Sequence, residues 1–274
     1  MKTVVITGAT SGIGNLLVKK FIEMGYKVFA GYRNIKLKKN LTAISENVIP
    51  FRIDMSKSWS VSDAVKFIKE ELKEDKIDTL INVAGCVVAG AMECLDVDKI
   101  REQFEVNTFS HLAFTQGLFL KLQGGRIINI SSTSSFGVYP FIAPYCASKR
   151  SLDILFNCME IESKGAIKVI SIKPGVVKTP LWEKSLELNI DALGDNQKYE
   201  KEAAFMVENA KKCAKTGLDA KKVVDLVVKV NEIEKPKPSY TIGLDAKAAE
   251  ILSHFPQKFI NFVVKKMLEK RCMF

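Results

Sequence analysis

The stretch Thr3-Val-Val-Ile-Thr-Gly-Ala-Thr-Ser-Gly-Ile-Gly14 decides the fold. A β-branched run breaks at Thr7 and Gly8 into a glycine-rich turn, after which Ile13, Leu16, Leu17, Phe21 and Met24 fall on one helical face. Gly25 stands where a glycine ends such a helix. Glycines at 8, 12 and 14 permit the tight turn and let a phosphate approach the backbone, while exposed N–H groups and the dipole at the helix start favour a dianion. Strand, turn and helix in that order give a glycine-rich motif its meaning as a dinucleotide cradle, although the spacing G-x-x-x-G-x-G differs from the commoner G-x-G-x-x-G.

Outward from that turn, short β-branched runs alternate with longer stretches whose period is about 3.6 residues, the pattern of parallel strands joined by crossover helices. The runs predict strands over residues 3–7, 27–31, 48–52, 79–83, 126–131 and 168–172, with a seventh near 240–242. Asp96 or Asp98 caps a helix running through Phe104, and Lys149 lies in one that continues past Leu152, Leu155 and Met159. The expectation is one domain over residues 1–274, an α/β Rossmann-type doubly wound parallel sheet of about seven strands with helices on both faces.

Two stretches break the rhythm. Residues 176–215 are rich in Lys, Glu, Asn and Asp with scattered Trp182, Phe205 and Met206. An excursion after a late strand is placed to cover the crevice at the strands' carboxyl ends, so it reads as a lid. Residues 246–274 read as one or two helices broken by Pro256, with Phe255, Phe259, Phe262 and Met267 interleaved with Lys258, Lys265, Lys266, Lys270 and Arg271. Such a basic amphipathic tail packs on its own core, on a partner subunit, or peripherally on a membrane surface.

A chain of 274 residues, 47% hydrophobic and 26% charged, buries enough surface to fold without disulfides or metal. No apolar run approaches the roughly 20 residues of a membrane-spanning helix. The amino terminus is too short and too β-branched for a signal peptide, so a cytoplasmic setting is expected. The six cysteines form no C-x-x-C pair and only two histidines accompany them, which predicts reduced, mostly buried thiols and no metal site. The net charge of +10 comes from lysines spaced as solvated helix faces without an aromatic platform, so nucleic acid is not expected as a partner.

The end of the second strand speaks to the cofactor. Where an acidic residue would hold the ribose of NAD, this chain reads Ala30-Gly31-Tyr32-Arg33-Asn34. A guanidinium at Arg33 and no carboxylate to repel a 2′-phosphate favour NADP(H).

For chemistry, a tyrosine can donate and recover a proton at a carbonyl if a neighbouring cation lowers its pKa, and a lysine four residues later on a helix shares its face. Tyr145 with Lys149 and Tyr32 with Lys36 both fit. With six tyrosines and 41 basic residues in 274, chance supplies roughly one such pair. Context separates them: Tyr32 follows the second strand, at the adenosine end. Tyr145 begins a long helix after a strand and a serine cluster that can place a hydroxyl opposite it.

In this order the motifs resemble those of the classical short-chain dehydrogenase/reductase family over nearly the whole chain: T-G-x-x-x-G-I-G at residues 7–14, Asp54, N-x-A-G at residues 82–85, Asn107, Ser132, Tyr145 with Lys149, and Pro174-Gly175 followed by Thr179. The resemblance implies that Tyr145 is the general acid/base, that Ser132 polarises the carbonyl, and that Lys149 lowers the tyrosine pKa and holds the nicotinamide ribose. Asn107 would order a water linking Lys149 to solvent. The family's spacing selects Ser132 over Ser131, Ser134 and Ser135. It further assigns Gly8, Thr10, Ser11, Gly12, Ile13, Gly14, Arg33, Asp54, Met55, Asn82, Ala84, Gly85, Pro174, Gly175, Val177 and Thr179, together with Tyr145 and Lys149, to the cofactor. Val83 departs from the family's usual second asparagine.

Residues expected near the nicotinamide are apolar: Val88, Val138, Tyr139, Leu181 and Trp182, with no arginine for a substrate carboxylate. A hydrophobic small-molecule ketone, aldehyde or alcohol fits, and the family is usually a homodimer or homotetramer. The other reading, an NADP(H)-sensing binding protein without turnover, sits poorly with a chain that keeps both the tyrosine and the lysine.

Overall fold

The computed structural model describes residues 1–194 and 197–272; residues 195, 196, 273 and 274, small parts of the expected lid and tail, lie outside the described residues. Seven parallel strands form one sheet: β1 (Thr3–Ile6), β2 (Lys27–Tyr32), β3 (Val48–Arg52), β4 (Thr79–Asn82), β5 (Arg126–Ile130), β6 (Lys168–Pro174) and β7 (Ser239–Ile242). Their order is β3-β2-β1-β4-β5-β6-β7. The order reverses between β1 and β4, which opens a crevice at the carboxyl ends of those strands.

Successive side chains of one strand serve opposite cores, so the inner strands are buried on both sides and read as near-continuous apolar runs, while the edge strands β3 and β7 are only partly buried. Val4 and Ile6 join Leu17, Val18 and Phe21 of α1 (Gly12–Glu23) and Val223, Val227 and Val230 of α9 (Ala220–Glu232). Val5 and Phe29 join Ile68 of α3 (Ser58–Leu72), Phe114 of α5 (Ser110–Leu118) and Phe156 of α6 (Ala143–Glu162). The short α2 (Lys38–Thr42) fills the β2–β3 connection. Met24 ends α1, and Gly25 takes φ +77° just beyond it.

Three strands stop one residue short of the predicted ends, at Ile6, Asn82 and Ile130, while β2 runs one residue further and β6 two. At Thr7 a side-chain tie takes over beyond the last ladder bond: its N–H donates to the Ile81 carbonyl at 3.1 Å, and its hydroxyl accepts from the N–H groups of Val83 (2.9 Å) and Ala84 (3.2 Å). β6 extends because Pro174 stays in register with Ile242.

Asp96 caps α4 (Val97–Phe104), accepting from the N–H of Asp98 at 2.8 Å. Between α4 and α5 the residues Glu105–Phe109 take π spacing, a geometry that re-aims side chains and recurs at functional sites. The excursion folds as α7 (Leu181–Gly194) and α8 (Glu200–Thr216), packed on each other. The tail divides at Pro256 into α10 (Leu244–Leu252) and α11 (Gln257–Cys272), with α11 against α8. No helix among the described residues is long and apolar enough to cross a membrane. One expectation needs correction: among the described residues the cysteines are not mostly buried. Cys146 and Cys213 are buried, Cys86 is half-buried, and Cys94 and Cys158 are exposed, because the last two lie on solvent-facing turns of their segments.

Candidate active site

The turn after β1 is built of close backbone approaches. Gly8 (φ +63°) faces Ala84, whose N and Cα lie 3.0 Å from where a Cβ would stand, and Gly12 (φ +53°) faces the Thr179 side chain at 3.4 Å. A Cβ on Gly14 would fall 2.2 Å from the Gly8 carbonyl oxygen. Ser11 occupies the N-cap of α1 without a capping side-chain bond, and no acidic residue stands in the first turn. Unclaimed N–H groups beside a contour that tolerates no side chain fit a pyrophosphate. Ile13 is buried in the core, so it and half-buried Thr10 serve the cradle through their backbone.

Around this cradle stand the other expected cofactor residues. Arg33 is exposed at the end of β2 and forms no ion pair among the described residues. Asp54 follows β3, where one carboxylate oxygen accepts from the Ser56 N–H (3.0 Å) and hydroxyl (2.9 Å). Met55 is buried and its carbonyl accepts from Ser110 at 2.7 Å, tying the loop to α5. Val177 bridges to Leu218 beyond Pro174 and Gly175.

A second group of side chains converges at the ends of β4 and β5. Ser132, just past β5, accepts from the Ser134 N–H (3.1 Å) and hydrogen-bonds the Tyr145 hydroxyl. Tyr145 lies in the first turn of α6, half-buried, and Lys149 one turn on donates to the Ile130 carbonyl at 2.9 Å. Gly85 closes the group, since a Cβ there would stand 3.2 Å from Asn107 Oδ1 and 3.6 Å from Lys149 Nζ. Tyr32, by contrast, is buried at the β2 end of the sheet, with Lys36 exposed.

Burial governs the proton affinities here. Desolvation pushes the Tyr145 phenol up to about 12 against a smaller lowering by Ser132, and drags the Lys149 ammonium down to about 8 against the opposing charge of Asp153. The expected lowering of the tyrosine pKa by Lys149 is therefore not what this arrangement shows. The ammonium stands 6.0 Å from the Tyr145 ring centroid and is engaged by Ile130, so desolvation wins.

Asn107 projects from the π segment and clamps Cys86 on both sides: its Oδ1 accepts from the Cys86 N–H and its amide donates to the Cys86 carbonyl, each at 2.9 Å, with Ser148 a further partner at 3.0 Å. Val83 costs the site no polar bond of its own, since its N–H is held by Thr7 and its side chain packs on the core.

Several residues carry this site that sequence reasoning passed over. His111, four residues after Asn107, contacts Asn82 (3.1 Å) and the Ala84 carbonyl (2.9 Å), fixing the loop that faces Gly8. Asn82 in turn meets Asn129 at 2.8 Å. Asn189 of α7 bonds the Val87 carbonyl and the Ala89 N–H, both at 2.8 Å, holding the excursion on the loop after β4. Asp245, which accepts from the Val176 N–H at 2.8 Å, fills the space a Gly175 side chain would take. The only signal for His111 and Asn189 was a polar residue at an otherwise apolar helical position, and Asp245, exposed in the first turn of α10, gave none.

The expected substrate residues are less uniformly gathered. Val88 is buried with its N–H on Gln103, and Tyr139 and Leu181 are half-buried. Trp182 turns its indole N–H onto the Val177 carbonyl at 2.8 Å, while Val138 is 45% exposed.

A profile for short chain dehydrogenases matches residues 2–189. The chain is similar to an NADPH-dependent 3-dehydrocapnine reductase of Ornithobacterium rhinotracheale, 27% identical over 98% of each chain. It is also similar to a probable short-chain type dehydrogenase/reductase, VdlC, of Helicobacter pylori, 34% identical over 88% of each. Among solved structures, a short chain dehydrogenase of Burkholderia cenocepacia in complex with NADP superposes with a TM-score of 0.74 at 22% identity, over 96% of this chain and 99% of that one.

Proposed function

The chain belongs to the short-chain dehydrogenase/reductase family of NAD(P)-dependent oxidoreductases, and from that premise we propose that it reduces an uncharged, hydrophobic ketone or aldehyde with NADPH, or runs the reverse oxidation. The observation that carries this reading is the approach of Ser132 and Lys149 to Tyr145 at the end of β5, across the crevice from the glycine cradle.

When bound, the nicotinamide supplies or takes up the hydride. Tyr145, protonated at neutral pH with its affinity pushed up to about 12, donates to the carbonyl oxygen as charge develops there. Ser132 hydrogen-bonds that oxygen and orients the phenol. Lys149 supplies positive charge behind the phenol and a donor toward the ribose, and Asn107 holds the adjacent loop and orders the water through which Lys149 is reprotonated.

Arg33, exposed and unpaired beside the cradle, is our reason for NADPH over NADH, and the name of the Ornithobacterium relative agrees. Residues 176–215 act as the lid, latched through Asn189 on the loop after β4. Exposed Phe109, Ile154 and Ile161 are the surface we assign to a homodimer or homotetramer, and the outer face of α11 to peripheral membrane contact.

The test is a panel of acetophenone, 2-decanone, decanal, retinal and a ketosteroid, each with NADPH and NADH, followed by nicotinamide absorbance. At least one should be turned over, preferentially with NADPH, and Tyr145→Phe should lower that turnover about a hundredfold while NADPH affinity stays within about threefold. NADPH binding without turnover of any member would return the chain to the sensing-protein reading.

A further inference from the structure

Three ionisable side chains are buried on α6 and β6, and the mechanism above uses only Lys149. The other two are Asp153, one turn further along the same face of α6, and Lys173 of β6, with Asp153 only 2% and Lys173 only 5% exposed. Lys173 Nζ lies 2.9 Å from Asp153 Oδ2, and the Ser171 hydroxyl donates to Asp153 Oδ1 at 2.8 Å. Ser171 and Lys173 alternate with Ile172 along β6, so both point to the α6 side of the sheet. The Lys173 ammonium also lies 4.3 Å from the centroid of the Phe136 ring, the last residue of the short helical turn Thr133–Phe136 that Ser132 caps.

A buried ion pair is a weak stabiliser, because desolvation offsets most of its attraction, and an apolar pair of similar volume serves as well. Its position here suggests a different use. Among the described residues Asp153, one helical turn on, is the carboxylate whose charge acts on Lys149, and Lys173 is the cation paired with it. The others near that ammonium are Tyr145 of α6, Cys86 of the loop after β4, Asn107 of the π segment, His111 of α5 and the Ile130 carbonyl of β5, none of them anionic at neutral pH.

We infer that Asp153, clamped by Lys173 and Ser171, is a positioning residue of the active site: it is the buried counter-charge of the Lys149 ammonium, and through Lys173 and Phe136 it also fixes the turn that presents Ser132. The inference rests on the catalytic reading of Tyr145 and Lys149. Burial alone drives Lys149 toward the neutral amine, and Asp153 opposes that drive. Removing the carboxylate charge therefore lets Lys149 lose its proton at lower pH, and the reductive rate falls with it.

The experiment compares wild type, Asp153→Asn, Asp153→Glu and the doubly neutral Asp153→Asn/Lys173→Met, whose apolar methionine keeps the contact with Phe136 and guards against a lone buried charge that fails to fold. The alkaline limb of kcat for NADPH-driven reduction of a ketone from the panel should move down by about one pH unit in Asp153→Asn and by less in the double variant, which also removes the Lys173 cation, with KM for the ketone changed less than about threefold. Asp153→Glu should restore it.

A readout without turnover accompanies it. Lys149 binds its proton more weakly folded (about 8) than unfolded (near 10.5), so the unfolded chain holds the extra proton between those values and heat stability rises with pH across them, relative to Lys149→Met. That rise should begin about one unit lower without the Asp153 charge. A merely structural ion pair would lower kcat or Tm evenly and leave both pH positions in place, and that result overturns the inference. If no ketone is turned over by wild type, the catalytic reading fails, and the Tm profile still decides whether Asp153 charges Lys149.

Discussion

The His111 ring lies between Asn82 and Ala84, and burial pushes its pKa down to about 3, so it is neutral across the physiological range. Because the Ala84 carbonyl can only accept, the ring proton sits on Nε2. Nδ1 is then an acceptor, which Asn82 meets by turning its NH2 toward the ring, with Asn129 turning to match. Unfolded, the same histidine takes a proton near 6.5, so the unfolded state binds more protons between that value and about 3, and stability is lost as pH falls through this window. His111→Gln should cost about 1–2 kcal/mol at neutral pH, through lost contacts, yet flatten the acid slope by one proton, about 1.4 kcal/mol per pH unit. Urea melts between about pH 7 and 4 check this, and an unchanged slope would show that His111 titrates alike in both states. At this scale the sequence exposed residues with a fixed spacing to a partner, such as Tyr145 with Lys149. It hid His111, Asp153 and Asn189, whose partners lie on other elements and which look locally like any polar residue on a helix. The tyrosine pKa was misjudged because a formal charge is visible in a sequence and desolvation is not.

Among elements, the β1–α1 turn is the least forgiving. A methyl on Gly14 would meet the Gly8 carbonyl oxygen at 2.2 Å, and since both are main chain no rotamer change relieves the clash. Gly14→Ala is expected to cost about 3 kcal/mol or more and to abolish NADPH binding, because opening the turn disperses the N–H groups that face phosphate. Gly25→Ala is the contrasting case: φ is +77° there, but an added methyl meets nothing within 4 Å, so the cost should be about 1 kcal/mol with NADPH binding intact. Denaturant melts and quenching of cofactor fluorescence read both; equal losses of binding in the two variants would show that the cradle has no special tightness. Apolar, β-branched runs gave all seven strands to within two residues, most clearly for the inner strands, which are buried on both faces. It gave no hint of the π spacing at Glu105–Phe109, which is a matter of backbone registration alone, nor of where the polar excursion divides into α7 and α8. The in-register row Asn82, Asn129, Ser171, which underlies His111 and Asp153, took on meaning only once β4, β5 and β6 were neighbours.

For the whole molecule, the question is where the charge of +10 and the exposed aromatics act together. On α11 they do: Ile260 is buried, while Phe259, Phe262 and Met267 remain exposed beside Lys258, Lys265, Lys266 and Lys270, with the Phe255 ring tilted against that of Phe259 at 5.1 Å between centroids. Glu269, paired with Lys266 at 3.0 Å, is the sole acid on the helix. An isologous contact between two copies would set each of these lysines near its like, whereas anionic lipid headgroups would accept the lysines and the interface would take the rings. Deleting α10 as well would remove Asp245, which holds the Val176 N–H, so the informative cut falls after Pro256. The full chain should float with vesicles rich in phosphatidylglycerol at least about tenfold better than with phosphatidylcholine alone, and added salt should weaken that binding. The shortened chain should stay in solution with its unfolding transition nearly unchanged, because β7 and the Asp245 tie are retained. If deletion instead halves the mass in solution, and neither form floats, the face belongs to a second copy. Docking by α11, which packs on α8 and through it on α7, would bring the expected lid to the lipid surface, where an uncharged hydrophobic ketone is concentrated.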